Sequence, residues 1–395
     1  MTIHADFDRL IDRRGTNCAK WDAMPKVYGV PVEDGIPMWV ADMDFSAAEV
    51  LQDAVRGLLE KANYGYFTGE SEMKDAVAWW MKSRHGWSPD PSHMFSTAGL
   101  GNAIAICLQT YTDPGDEVII FTPVYHEFTN KIVNAGRVVK ESPLVPGEDG
   151  MYRMDLQSLE SALSGREKML LFCSPHNPAG RVWTVEEQKE LAAFCERHDL
   201  VLVADEIHHD LVLPGHTHVP MPVAAPDIAE RLIMLTSSSK TFNTAGSRLG
   251  TVTIPGTMLR ARFSDALTAL NLSPNLLGCV LTRAAYTPQG AEWVDQLVGY
   301  LDGNRAAFLD AMGQIPGVRA MPMQATYLAW VDFSNTGMEM KEVLRRVNED
   351  ARIAPSVGAE FGKGGETCLR FNIATPRARV EEAATRLQAA FSDLQ

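Results

Sequence analysis

A lysine set among hydroxyls is the first place where this 395-residue chain could do chemistry: Ser237-Ser238-Ser239-Lys240, followed eight residues later by Arg248. A lysine that forms an imine with an aldehyde needs neighbours that hold the rest of the aldehyde-bearing molecule. Hydroxyls and a fixed guanidinium suit a phosphate, since both give strong or charge-assisted hydrogen bonds to an anion. A Ser-rich turn with a solvated lysine would look the same, so the run does not decide alone. Asp205, in Val203-Ala204-Asp205-Glu206-Ile207-His208, ends an apolar run with a carboxylate. It could keep a pyridine nitrogen protonated, or simply cap the next element. Asn177 lies in Ser174-Pro175-His176-Asn177-Pro178-Ala179-Gly180, a stiff turn that could aim its amide at a ring hydroxyl. Thr97-Ala98-Gly99-Leu100-Gly101-Asn102-Ala103 opens a helix with glycines, leaving free N–H groups of the kind that bind phosphate. Each signal is weak singly.

The elements that must position these residues follow from hydrophobic pattern. Residues 117–121, 169–173, 200–204, 232–235 and 251–254 read as strands buried on both faces. Helical patterns lie between them, among them 184–198, with Thr184 as N-cap and Glu187 as its capping-box partner. The alternation specifies an α/β fold: a three-layer α/β/α large domain with a mostly parallel sheet. Ligands bind beyond the carboxyl ends of such strands, which places Tyr125, Asn177, Asp205 and Lys240 on one rim. After about residue 290 a long helix (291–312), strands at 327–331 and 367–373 and two further helices read as a smaller α+β domain. The expected division is 1–47, an extended N-terminal arm contributing to the small domain, 48–288, the large cofactor-binding domain, and 289–395, the C-terminal small domain.

Taken in order, these pieces resemble the fold-type I pyridoxal-phosphate enzymes of the aspartate aminotransferase superfamily over nearly the whole chain. The segments Lys20-Trp21-Asp22, Met38 to Phe45, Cys173 to Pro178, Asp205 to His208 and Ser239 to Asn243 are most similar to the cystathionine β-lyases of the MalY/PatB type. The resemblance implies pyridoxal 5'-phosphate on Lys240, Asp205 against the pyridine nitrogen, Asn177 on the ring hydroxyl, Tyr125 stacked on the ring and His208 beside it. It implies a phosphate site of Ser237, Ser239, Arg248 and the N–H groups of Leu100 and Gly101. Arg370 would clamp the substrate α-carboxylate, with Trp39, Ala41 and Asn177 lining the substrate pocket. Tyr66 would reach the phosphate of a second copy across a homodimer interface. Ala179 stands where the superfamily usually has threonine, and Ala245-Gly246-Ser247-Arg248 is aminotransferase-like. The implied activity is a carbon–sulfur β-lyase acting on L-cystathionine or other L-cysteine S-conjugates. The alternatives are a class I/II aminotransferase and a pyridoxal-phosphate-binding regulator with little turnover.

Composition narrows the partners. A net charge of −14 argues against non-specific nucleic-acid binding, and 46% apolar with 22% charged residues is typical of a globular chain. The first eight residues lack a basic start and apolar core, and no apolar run is long enough to span a bilayer. Six irregularly spaced cysteines without a C-x-x-C pair favour reduced, buried thiols and a cytoplasmic location. His208, His209, His216 and His218 lack the spacing of a metal site, and Pro214-Gly215 interrupts them. That segment reads as a surface loop, and no metal is expected.

Overall fold

The computed structural model describes residues 5–394; Met1 to His4, on which the reading of the first eight residues partly rests, lie outside the described residues. A seven-stranded sheet forms the centre, in the order Met94–Thr97, Gly250–Thr253, Leu232–Thr236, Val201–Asp205, Glu167–Cys173, Glu117–Thr122, Val138–Pro143. Every pairing from Leu232–Thr236 to Val138–Pro143 is parallel, and only Gly250–Thr253 runs against its neighbours.

The apolar runs are continuous because both faces are covered. In Glu117–Thr122, Val118 and Ile120 join a cluster with Ala103, Cys107 and Phe263 on one side. Ile119 and Phe121 join a second cluster with Trp183, Leu191 and Phe194 on the other. Alternation along each strand thus feeds two helical layers, which is the α/β/α arrangement. The strands Met94–Thr97 and Val138–Pro143 close the two edges. The helix Val185–Arg197 starts where the sequence placed it, with a complete capping box at Thr184 and Glu187.

A five-stranded sheet lies beside it, in the order Ile36–Met38, Ile353–Val357, Cys368–Asn372, Leu328–Asp332, Arg319–Ala320. Ile36–Met38 pairs in parallel with Ile353–Val357, and the other pairings are antiparallel. Residues 19–38 are therefore packed and are not part of an extended arm. Ala19–Asp22 and Met24–Tyr28 are short helices, Trp21, Met24 and Met38 are buried, and the segment completes a sheet made otherwise from residues beyond 318.

Removing the Thr184 hydroxyl leaves the Glu187 N–H, 3.1 Å away, without its acceptor. Thr184→Ala is expected to cost about 1 kcal/mol. Urea unfolding should show a lower midpoint at unchanged slope.

Candidate active site

Four strands of the large sheet end at one cavity of about 800 Å3. Tyr125, Asn177, Asp205 and Lys240, each just beyond such a strand, all line it, as do Leu100, Gly101, His208, Ser239, Arg248, Trp39, Ala41 and Arg370. The rim expected from strand order is thus a single site.

Its floor holds charges that burial disfavours. Lys240 Nζ donates to the Ala41 carbonyl at 2.8 Å, and burial, then the charge of Arg370, brings its amine down to about 8. Arg370 Nη1 donates to Asn177 Oδ1 at 2.9 Å, and Nη2 to the Trp39 carbonyl at 2.7 Å and Ser356 Oγ at 3.0 Å. Its Nε is buried without an acceptor, and burial lowers the guanidinium to about 10. Burial pushes the Asp205 carboxyl up to about 7; its Oδ1 accepts only the Ile207 N–H, at 3.2 Å. His208 is buried with Nδ1 unpartnered, and burial followed by the Lys240 charge keeps it neutral. Burial raises the Tyr125 phenol to about 12, so it remains protonated.

The segment 39–43 crosses the cavity as a strap. Each of its carbonyls accepts from side chains: Trp39 from Arg370 and Ser356, Val40 from Asn372, Ala41 from Lys240 and Tyr327, Asp42 from Lys20 and Asn372, Met43 from Arg13 and Asn243. Behind it the buried pair Lys20–Asp44, at 2.8 Å, is completed by Trp21 Nε1 on Asp44 at 2.9 Å. Sequence reading singled out the words around Lys20 and residues 38–45 but gave no role to Tyr327, Asn372, Ser356 or Asn243. Asn372 and Asn243 were signalled only by standing close to Arg370 and Lys240 in sequence, and Ser356 and Tyr327 carried no local signal.

An anion cradle lies at one end. The helix Leu100–Tyr111 starts at the cavity with Gly99 at φ +84° and no side-chain cap, so its first N–H groups are free. Ser239 and Arg248 line the same end, and Arg248 has no ion-pair partner among the described residues. Ser237 is displaced from the expected set: its hydroxyl donates to the Leu249 carbonyl at 2.7 Å and accepts the Ser239 N–H at 3.1 Å, so it shapes the loop without lining the cavity. Tyr66 lies outside the cavity altogether, fully exposed beside a separate depression with Leu58 and Arg283.

The histidine-rich segment is a surface loop only over residues 214–217, which include His216. His208, His209 and His218 are buried, and acidic neighbours receive two of them: His218 Nε2 lies 2.8 Å from Glu206 Oε2, and His209 Nε2 lies 3.2 Å from Asp210 Oδ2. His85, His209 and Asp210 bring ligand-type atoms within 4.8 Å of one another. Both Asp210 oxygens are already engaged, however, Oδ1 by Trp80 Nε1 at 2.9 Å and His85 at 2.8 Å, Oδ2 by Thr241 Oγ1 at 2.8 Å. Arg84 Nε is 3.8 Å from Oδ1, so a cation would displace donors and meet a like charge. The cluster is a hydrogen-bond hub that ties Thr241, next to Lys240, to the helix Glu70–His85.

A free phosphate cradle, a buried amine of lowered pKa and a carboxylate beyond it together fit a phosphorylated pyridine aldehyde. They define a cofactor-dependent enzyme of the lysine-tethered kind. Residues 44–387 match the family described as aminotransferase class I and II, and the chain belongs to that family. It is 36% identical to cystathionine beta-lyase PatB of Bacillus subtilis over 98% of this chain and 100% of the relative. It is 31% identical to protein MalY of Escherichia coli over 97% of each. The structure of cystalysin from Treponema denticola, which contains a pyridoxal 5'-phosphate cofactor, superposes with a TM-score of 0.94 at 34% identity, covering 100% of both chains.

Asp210→Ala would leave the buried Trp80, Thr241 and histidine groups without their acceptor. Loss of about 3–5 kcal/mol is expected, measured by urea unfolding.

Proposed function

We propose that the protein is a pyridoxal-phosphate-dependent carbon–sulfur β-lyase that cleaves L-cystathionine or related L-cysteine S-conjugates to a thiol, pyruvate and ammonia. The observation that carries this reading is the meeting of Lys240, Asp205 and Arg370 in one cavity, in a chain similar over its length to cystathionine beta-lyase PatB. When bound, the cofactor supplies an aldehyde for amines and a ring that takes up electron density from Cα. Lys240 is the residue that holds the aldehyde. Asp205 faces the ring nitrogen, Asn177 the ring hydroxyl, with Tyr125 and His208 against the ring. Leu100 and Gly101 N–H groups, Ser239 and Arg248 take the phosphate, with Ser237 bracing the loop.

The chain's own residues then define the reaction. Arg370 binds the α-carboxylate, relieving its unpaired burial, and Trp39 and Ala41 bound the substrate on the strap side. Lys240, released from the aldehyde when the substrate amine takes its place, would accept the Cα proton as a neutral amine, and the Cβ–S bond breaks with its electron pair leaving on sulfur. Water completes the release of pyruvate and ammonia. The reading includes a homodimer, in which a second copy brings Tyr66 toward the phosphate cradle; the exposure of Tyr66 outside its own cavity supports this. Six unpaired buried cysteines support a reducing, cytoplasmic location, and no described helix is long and apolar enough to cross a membrane.

With L-cystathionine and no added 2-oxo acid, the enzyme is expected to release many equivalents of thiol and pyruvate, and Lys240→Ala none. A burst of one equivalent that resumes only with a 2-oxo acid would instead assign an aminotransferase. Because Lys240 loses its proton near 8, its base form fills as pH rises through that value. Turnover should therefore climb along a limb centred there; a flat profile from below 7 to above 9 would remove Lys240 as the base.

A further inference from the structure

Three carboxylates line the cavity, and one of them is uncommitted. Asp205 is buried at the base. Glu127 is engaged by Lys131 at 2.5 Å and by Asn130 at 3.0 Å. Glu360 is exposed and has no hydrogen bond or ion pair among the described residues.

The chain fixes Glu360 on the wall that carries Arg370. It sits in the single turn Gly358–Phe361, directly after the strand Ile353–Val357. Gly358 anchors the turn, since a Cβ there would lie 2.3 Å from the carbonyl oxygens of Cys368 and Gly365. Phe361 is buried, with the Arg370 guanidinium 4.9 Å from its ring centre and the His126 ring edge-on at 5.7 Å. The negative charge of Glu360 acts on Tyr28, His126 and Arg370 in turn. Exposure rises from Asp205, Asn177 and Arg370, all buried, to Val27 and Glu360, so these last two mark the mouth.

A substrate held by its α-carboxylate on Arg370 can extend its sulfur substituent outward along this wall, toward the exposed Glu360. The end of that substituent meets a carboxylate that lacks a partner. We propose that Glu360 is a specificity-determining residue that selects S-conjugates whose leaving thiol carries a protonated amine, as in L-cystathionine, over those with neutral substituents. The assignment rests on the β-lyase reading. Such a pair at a solvated mouth is modest in strength and is screened by salt.

The test uses the cofactor-loaded enzyme, with S-(2-aminoethyl)-L-cysteine, whose leaving thiol carries an ammonium and no carboxylate, and S-methyl-L-cysteine as probes. Each is followed both by kcat/KM for thiol release and by absorbance titration of binding. Glu360→Gln should lower the aminoethylcysteine-to-methylcysteine ratio about fivefold, mainly through KM, and Glu360→Lys should lower it further. Added salt should bring the wild-type ratio down toward that of Glu360→Gln. A ratio unchanged in both variants, or an equal loss for both probes, overturns the assignment. Should the wild type release thiol from neither probe, the β-lyase reading fails, and the binding ratio alone then decides for or against Glu360.

Discussion

Two cationic side chains in one cavity, held chiefly by neutral groups, constrain everything else in this structure. Lys240 and Arg370 line one cavity, the charge of Arg370 lowers the tendency of Lys240 to hold its proton, and burial works against both. What holds them is mostly neutral: the Ala41 and Trp39 carbonyls, the Asn177 amide oxygen and the Ser356 hydroxyl. Of the carboxylates that act on Lys240, Asp42 is paired with Arg13 and Asp205 is itself pushed toward protonation by burial. A cavity arranged like this has a standing affinity for anions, and the helix start at Leu100 with Arg248 adds a second anion site. Substrate carboxylate and cofactor phosphate therefore complete an electrostatic arrangement that the protein alone leaves open.

Holding those carbonyls in place requires the two ends of the chain to meet. The strap at 39–43 is gripped by Asn372 and Arg370 from the strand Cys368–Asn372, and by Asn243 from the loop that carries Lys240. Its base is the Lys20–Asp44 pair, which is fully buried and so stable only while each partner retains the other. The parallel pairing of Ile36–Met38 with Ile353–Val357 sets the register in which the strap leaves the small sheet. Substrate-side geometry is thus a property of the small sheet, while cofactor-side geometry belongs to the large one.

This division explains what could be read from sequence. The central strands were legible because burial on both faces demands unbroken apolar runs, as in Glu117–Thr122. The capping box at Thr184 was legible because it is local. Lys240, Asp205, Asn177 and Arg370 stood out through the short motifs around them. The edge strand Val138–Pro143 was not legible, since half-exposed positions leave room for Lys140 and Glu141. Ile36–Met38 is three residues long and is a strand only through a partner more than three hundred positions away. The burial of His209 and His218 was hidden for a related reason: polar residues suggest a surface until their acceptors, Asp210 and Glu206, are known to be buried with them. Ser237 shows the limit of carrying roles across by motif, since the local word survives while the hydroxyl is engaged by the Leu249 carbonyl.

The six residues Asp205 to Asp210 show how chemistry and scaffold share one segment. Asp205 and His208 face the cavity, while Glu206 receives His218 and the Met221 N–H, and Asp210 receives Trp80, His85 and Thr241. Thr241 is bonded to Lys240 in sequence, Phe242 packs flat on Trp293 at 5.4 Å, and Asn243 grips the strap. Lys240 is therefore located from its backbone by Asp210 and the core, and from its amine by Ala41. A flexible four-carbon side chain pinned at both ends has lost most of the freedom that would make proton transfer to it inefficient. The hub and the strap do not touch substrate, yet they limit where the reactive nitrogen can be.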